Sequence, residues 1–196
     1  MTNRSVRTFT FALSLFGLAA TGCAGTVSHM TAVPNMTLAA AANESIVVFM
    51  RPSSAGFAVQ SSVFEVVPAQ SSHLVGIVAA KKKVAYHATP GDHLFMVVGE
   101  SADFMQARLE PGKIYYALVT PRMGMWKARF SLQPVHAAER GALPQWQGDT
   151  EWVAVNADSA QWAADNAGNI DSKRDAYLPK WNEKAERPVL MPEDGQ

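Results

Sequence analysis

Residues Lys113 to Thr120 read KIYYALVT, a run in which apolar side chains occupy both faces of an extended chain. A strand of this kind is buried on both sides, so it is predicted to lie in the interior of a sheet. The next apolar run, Trp126 to Gln133 (WKARFSLQ), alternates apolar and polar residues instead. That alternation predicts a strand with one packed face and one solvated face.

Short runs of strand-like composition continue upstream, separated by turn residues at a spacing of about ten positions, which is typical of an all-β domain. The predicted strands are Ile46 to Met50, Val63 to Val67, Leu74 to Val78, Val84 to Ala88, His93 to Val98, Phe104 to Leu109, Lys113 to Thr120 and Trp126 to Gln133. Because no helical period interrupts them, residues 45–135 are predicted to form a mainly β, antiparallel two-sheet sandwich. A closed barrel is the alternative architecture.

Two Pro-Gly pairs, Pro90-Gly91 and Pro111-Gly112, have the chemistry of tight turns. Proline fixes φ near −65°, and glycine then adopts the positive φ that a type II turn requires. Both pairs are predicted to close hairpins between consecutive strands. In the first hairpin His87 and His93 would face each other across the turn.

The N-terminal stretch combines two basic residues, Arg4 and Arg7, with an apolar run from Phe9 to Ala20. This run is too short to cross a bilayer, and the small residues that follow it are typical of the cleavage site of a bacterial export signal. The segment Ala20-Thr21-Gly22-Cys23 resembles the lipobox of bacterial lipoproteins, in which the cysteine is lipidated. Residues 1–22 are therefore predicted to be a lipoprotein signal peptide. An ordinary signal peptide, which would leave a soluble periplasmic protein, is the alternative.

Cys23 is the only cysteine of the chain, so no internal disulfide can form. A thioether bond to lipid would remove the free thiol, which is a liability in an oxidising compartment. We expect a membrane anchor at Cys23 and residence in the bacterial envelope, facing the periplasm. Ala24 stands where an aspartate would retain enterobacterial lipoproteins at the inner membrane, which favours the outer membrane. Residues 23–44, small and polar, are predicted to be the lipidated cysteine and a flexible tether.

After Val135 the composition becomes polar and alanine-rich, and residues 136–196 are predicted to be a loop followed by a helical tail. Asn156 or Asp158 would cap a helix that Gly168 interrupts, and Pro179 would kink or end a second helical stretch. A helical stripe of Ile170, Arg174, Tyr177, Leu178 and Trp181 is expected to pack on the sandwich. The last ten residues are expected to be frayed.

Aromatic residues are concentrated in this tail. Two interpretations stay open: either they bury large areas and attach the tail to the sandwich, or they form a binding groove with exposed aromatic anchors. The candidate binding residues are Trp146, Trp152, Trp162, Tyr177 and Trp181.

Charge and motifs exclude several function classes. Seventeen basic residues balance 17 acidic ones, so no basic surface for nucleic acid is indicated. The run Lys81-Lys82-Lys83 is interpreted as solvated rather than bound to membrane. No nucleophile motif is present, and His87 with His93 alone makes a poor metal site, since zinc usually takes three or four protein ligands. No catalytic residue, metal or cofactor is expected.

Several short motifs occur in a fixed order: Arg51-Pro52, Val75-Gly76, the Pro90-Gly91-Asp92-His93 turn, and Pro111-Gly112-Lys113 followed by Tyr115 and Tyr116. In this order, after a lipobox, they resemble a group of uncharacterised small bacterial lipoprotein β-sandwich domains. The resemblance covers roughly residues 46–135 and implies a transthyretin-like or immunoglobulin-like sandwich, with no activity attached. The expected function is a non-catalytic structural or protein-interaction module that contacts an envelope protein. A periplasmic module that binds a small molecule or glycan is the alternative.

Overall fold

The structure, a computed structural model, describes residues 29–122 and 129–196, in which two β-sheets face each other and a long helix lies against one of them. The strands are β1 (Met30–Ala32), β2 (Ser45–Arg51), β3 (Ser61–Glu65), β4 (His73–Val78), β5 (Lys82–Ala88), β6 (Gly91–Val98), β7 (Ala102–Leu109), β8 (Ile114–Arg122), β9 (Arg129–Pro134), β10 (Glu151–Val155) and β11 (Val189–Leu190). The helices are α1 (Leu143–Gly148) and α2 (Ala157–Asn182), with 3-10 turns at Ala137–Ala142 and Pro192–Asp194.

The first sheet has the strand order β1-β10-β5-β2-β8-β9, and the second sheet has the order β11-β7-β6-β3-β4. This confirms the predicted mainly β, two-sheet sandwich with a C-terminal helical extension. Most neighbouring strands are antiparallel, but β2 with β8, β5 with β10, and β7 with β11 run parallel. Both sheets are therefore mixed.

Strand β2 forms the centre of the first sheet, and all of its residues are buried. Its inward side chains Val47 and Phe49 join the core between the sheets, where the Phe49 and Phe95 rings lie 5.0 Å apart at 66°. Strand β8, which was predicted to be interior, lies between β2 and β9. Residues Trp126 to Ala128, expected to begin the strand that appears as β9, lie outside the described residues.

The prediction that both Pro-Gly pairs close hairpins is wrong. Gly91 and Gly112 do adopt positive φ values of 132° and 74°, but β5 and β6 belong to different sheets, as do β7 and β8. Each turn carries the chain from one sheet to the other. Turn chemistry fixes local dihedral angles, whereas the burial of apolar faces selects the strand partner.

The predicted flexible tether is shorter than residues 23–44. Within it, β1 pairs with β10, and Met30 is buried, with its sulfur accepting a hydrogen bond from the Ile77 amide at 3.5 Å. Leu38 also packs against the outer face of the first sheet. Cys23 and the expected signal peptide at residues 1–22 lie outside the described residues.

The predicted tail at 136–196 contributes a strand to each sheet, β10 to the first and β11 to the second. Its last ten residues are not frayed, because Leu190 is fully buried and Gln196 exchanges two backbone hydrogen bonds with Ile114, at 2.9 and 3.1 Å. These residues pair with strands distant in sequence, and such pairing leaves no local pattern.

Helix α2 runs unbroken through Gly168, where the sequence predicted an interruption. An exposed glycine costs only about 1 kcal/mol relative to alanine, so packing of the helix outweighs it. The helix begins as expected at Asn156, whose side chain accepts a hydrogen bond from the Ser159 amide at 2.9 Å. Pro179 lies in the last turn, and the helix ends three residues later.

Candidate functional site

A cleft of about 910 Å³ lies between the N-terminal half of α2 and the sandwich. Its helical wall consists of small side chains, which leave the space open: Ala157, Ala160, Ala163, Ala164 and Ala167. The opposite wall contains Glu65, His73, Leu74 and Tyr86 from strands β3, β4 and β5. Its volume lies within the range usual for small-molecule sites.

Glu65 organises the polar wall of the cleft. One carboxylate oxygen accepts a hydrogen bond from the Tyr86 hydroxyl at 2.5 Å, and the other contacts Nδ1 of His93. The His73 ring lies 6.0 Å from the Tyr86 ring. Three strands of two different sheets thus bring an aromatic surface and a carboxylate together at one edge of the cleft.

His93 faces acceptors with both of its ring nitrogens. Nδ1 contacts Glu65, and Nε2 donates to the Thr89 carbonyl at 2.7 Å. A neutral imidazole carries one N–H only, so in that form it donates to one of these two acceptors. With its side chain 8% exposed, His93 is a buried support for the carboxylate.

Tyr86 remains a hydrogen-bond donor throughout the physiological pH range. Its burial raises the pKa of the phenol strongly above the ordinary value, and the neighbouring Glu65 carboxylate raises it further. Both effects disfavour the phenolate because it would place a second negative charge in a poorly hydrated space.

The rim of the cleft is attached to α2 by polar contacts. Asp171 accepts hydrogen bonds from the Ser72 amide and hydroxyl at 3.1 and 3.0 Å, and from Arg174 at 2.9 Å. Arg174 also donates to the Gln70 carbonyl at 2.9 Å. The β3–β4 connection, which carries part of the lining, is therefore held against the helix.

The five candidate aromatic residues do not form one groove, and none of them lines the cleft. Trp146 and Trp152 pack on the outer face of the first sheet with Tyr116 and Leu143. Trp162, Tyr177 and Trp181 pack on the second sheet instead. The attachment role predicted for these residues is visible in this packing, whereas a binding role for them stays a prediction.

The lysine run that was expected to be solvated is largely buried. Lys82 and Lys83 are 9% and 6% exposed, and the Lys83 ammonium donates to the Gln147 and Thr150 carbonyls at 2.5 and 2.7 Å. It also lies 4.8 Å from the centroid of the Trp152 ring. These lysines attach the segment around α1 to the first sheet.

The tail stripe packs as predicted. Ile170 and Trp181 are buried, and Trp181 lies 5.7 Å from Phe104 of β7. Tyr177 and Trp181 also line a second, smaller cavity at the C-terminal end of α2.

The predicted contact between His87 and His93 is wrong, because His87 pairs with Glu44 at 3.1 Å.

Sequence reasoning missed Glu65, His73 and Tyr86 because they are single residues on separate strands. Only their side-chain direction, which depends on strand register, brings them to one place. Within residues 29–122 and 129–196 there is no group of three His, Cys, Asp or Glu residues that could hold a metal ion.

Tyr86→Phe is expected to lower the free energy of unfolding by about 1 to 2 kcal/mol at pH 7, because Glu65 loses a donor inside the protein. The raised folded-state pKa of Tyr86 means that this contribution is complete below about pH 10 and declines as pH rises through the folded value. Urea denaturation at pH 7 and pH 11 measures the difference between wild type and variant.

The matched control is Tyr177→Phe, since Tyr177 is half-buried and its hydroxyl has no hydrogen bond within the described part of the chain. It is expected to change stability by less than about 0.5 kcal/mol. Equal effects of the two substitutions would contradict the assigned role of Tyr86.

Compared with known proteins, the chain matches no family model and no curated sequence. The fold and the geometry of the cleft therefore carry the functional conclusion.

Proposed function

We propose that this protein is a lipid-anchored, non-catalytic module of the bacterial envelope that binds a small molecule in the cleft beside α2. The observation that carries the proposal is the cleft of about 910 Å³ with the Glu65–Tyr86–His73 wall. This favours the small-molecule alternative of the sequence interpretation over a purely structural role.

The anchor part of the proposal rests on the sequence. Arg4 and Arg7, the apolar run that follows them, and a lone cysteine in a lipobox-like segment are typical of exported lipoproteins. No helix in residues 29–122 and 129–196 is both long and apolar enough to cross a membrane. The proposed location of the protein is the periplasmic face of a membrane, with the outer membrane favoured.

The position of the first described residues connects the anchor to the cleft. Met30 pairs with Val155, and Asn156 donates to the Thr31 hydroxyl at 3.0 Å, while Val155 and Asn156 both line the cleft. Six residue steps separate Cys23 from His29, a span of at most roughly 20 Å. Lipidation at Cys23 would therefore hold the cleft close to the membrane surface.

The lining indicates the chemistry of the ligand. Its only ionisable groups other than Tyr86 are Glu65, which already contacts two partners, and His73. The remaining polar lining side chains, such as Gln70, offer neutral hydrogen-bonding groups beside apolar surface. A neutral molecule with several hydroxyl or amide groups, such as a sugar, fits this combination.

An envelope protein partner is the second candidate function, and one observation favours it. Phe57 is 78% exposed on a loop that Arg51 holds by donating to the Val59, Ala55 and Gly56 carbonyls at 2.7 to 2.8 Å. An exposed aromatic side chain on an anchored loop is typical of an interaction hot spot.

Lipidation at Cys23 predicts that a fatty-acid analogue added to growing cells labels the wild-type protein. Cys23→Ala is expected to abolish this labelling, because the thiol is the attachment atom. Gel fluorescence of the immunoprecipitated chain measures the label. Equal labelling of both proteins would refute the anchor.

Binding in the cleft predicts that at least one member of a panel of neutral mono- and disaccharides stabilises the wild-type protein. At ten times the dissociation constant the gain is about 1.4 kcal/mol, which raises Tm by about 3 °C or more. The double variant Ala160→Leu/Ala164→Leu fills the cleft while keeping good helix formers, so it is expected to lose this shift. Thermal unfolding of the full chain measures it.

The control is Ala176→Leu, which adds the same side chain at an exposed position of α2 that does not line the cleft. It is expected to retain the ligand-induced shift. The cleft proposal fails if no saccharide shifts the wild type, or if the double variant responds as the wild type does.

A further inference from the structure

A second pocket, of about 200 Å³, lies at the C-terminal end of α2, and residues of β7, β8 and β9 also line it. Four basic side chains and one carboxylate are among its lining residues: Arg122 at the end of β8, Arg129 at the start of β9, Lys180 in the last turn of α2, Lys184 just beyond it, and Asp103 from β7. The aromatic rings of Tyr177 and Trp181 complete one side.

The single carboxylate does not balance these charges. Asp103 accepts from Arg122 and from Lys184, each at 2.9 Å, through different oxygens. Arg129 and Lys180 form no ion pair with any carboxylate of the described residues; Lys180 instead lies 6.0 Å from the centroid of the Tyr177 ring. Arg187, whose guanidinium lies 5.4 Å from the Trp181 ring centroid, adds a further cation nearby.

The two arginines are directly opposite each other in the sheet, since Arg122 pairs with Arg129 in the β8–β9 register. Like charges at opposed positions of neighbouring strands destabilise a sheet. The negative end of the α2 dipole accounts for basic residues near its C-terminus, such as Lys180 and Lys184, but it does not account for the arginines on the strands. Asp103 compensates the charge of Arg122, but no carboxylate of the described residues compensates that of Arg129.

We infer that this pocket binds a phosphate or a phosphorylated group. A phosphate monoester carries about two negative charges at pH 7, and so matches a surplus of several cations better than a carboxylate does. Planar guanidinium groups also donate pairs of hydrogen bonds to phosphate oxygens. Asp103 fixes the positions of Arg122 and Lys184, which leaves Arg129 and Lys180 as the unpaired donors for the ligand.

This site is separate from the cleft. The cleft lies beside Ala157 to Ala167 of α2, whereas the phosphate pocket lies beside Tyr177 to Lys184. The inference therefore does not depend on the proposed function, and each can fail alone. The phosphate can come from a soluble compound or from a phospholipid headgroup, and the two sources are distinguished by the probes below.

The test titrates the full chain, held in an uncharged detergent, with inorganic pyrophosphate and with dihexanoyl phosphatidic acid. Dihexanoyl phosphatidylcholine is the control lipid, because its choline cancels the phosphate charge. Isothermal titration calorimetry is expected to show saturable binding of at least one anionic probe. The affinity is expected to fall as salt rises from 50 to 500 mM, because salt screens ion pairs between the probe and exposed side chains. Tighter binding of pyrophosphate assigns a soluble phosphate, and tighter binding of phosphatidic acid assigns a headgroup.

Two double variants identify the site. Arg129→Gln/Lys180→Gln is expected to weaken binding of the anionic probe at least tenfold. Lys81→Gln/Arg108→Gln removes two exposed positive charges outside the pocket, so its net charge equals that of the first variant. It is expected to bind the probe within twofold of wild type. The inference is overturned if the wild type shows no saturable binding, or if the first variant binds within threefold of it.

Stability without ligand provides a second readout. Arg129→Gln removes the like-charge pair, so it is expected to raise Tm of the unliganded chain while abolishing the stabilisation that the bound anionic probe gives the wild type. A purely structural role for Arg129 predicts the reverse, a lower Tm with the stabilisation by the probe retained, and that result would overturn the inference.

Discussion

Trp181 packs against Phe104 with ring centroids 5.7 Å apart, and this contact fixes the end of α2 on the second sheet. Ile170 is buried in the same cluster, and Lys173 donates to the Gly99 carbonyl at 2.6 Å between them. An isolated helix of polar and alanine-rich composition gains little from burial, so these few contacts determine where α2 lies. Both candidate sites use the helix as a wall, and both would disappear if it detached.

The sequence predicted those features that depend on local patterns. The two-faced apolar run became the interior strand β8, and Asn156 caps α2 because its side chain can accept the Ser159 amide. The stripe containing Ile170 and Trp181 packs as expected, because helical spacing alone places these residues on one face. Local dihedral preferences likewise predicted positive φ at Gly91 and Gly112.

Features that depend on partners distant in sequence were not predictable in the same way. The Pro-Gly turns join different sheets, and the short strands β1 and β11 contain too few residues to show a period. Arg51, which would ordinarily be expected at the surface, is fully buried because three carbonyls of one loop accept its hydrogen bonds. Burial lowers the pKa of its guanidinium, which nevertheless stays charged at neutral pH.

The candidate site likewise depends on contacts between residues that are distant in sequence. Glu65 and His93 come from β3 and β6, which pair within the second sheet, and the facing of the two sheets adds Tyr86 from β5. Their sequence neighbours give no sign of the cluster. The role of the alanines of α2 depends on where the helix lies. Opposite the wall that contains Glu65 and Tyr86, their small side chains leave a cleft rather than a packed interface.

Hydrogen–deuterium exchange of the full chain tests the docking of α2 most directly. If the helix is fixed on the second sheet, amides of residues 163–181 should be protected to nearly the same extent as those of β6 and β7. They should also lose protection together in Trp181→Ala, while β2 and β8 stay protected. Exchange of the α2 amides in the wild type at rates close to those of an unfolded peptide would contradict the account, because neither site would then have a stable wall.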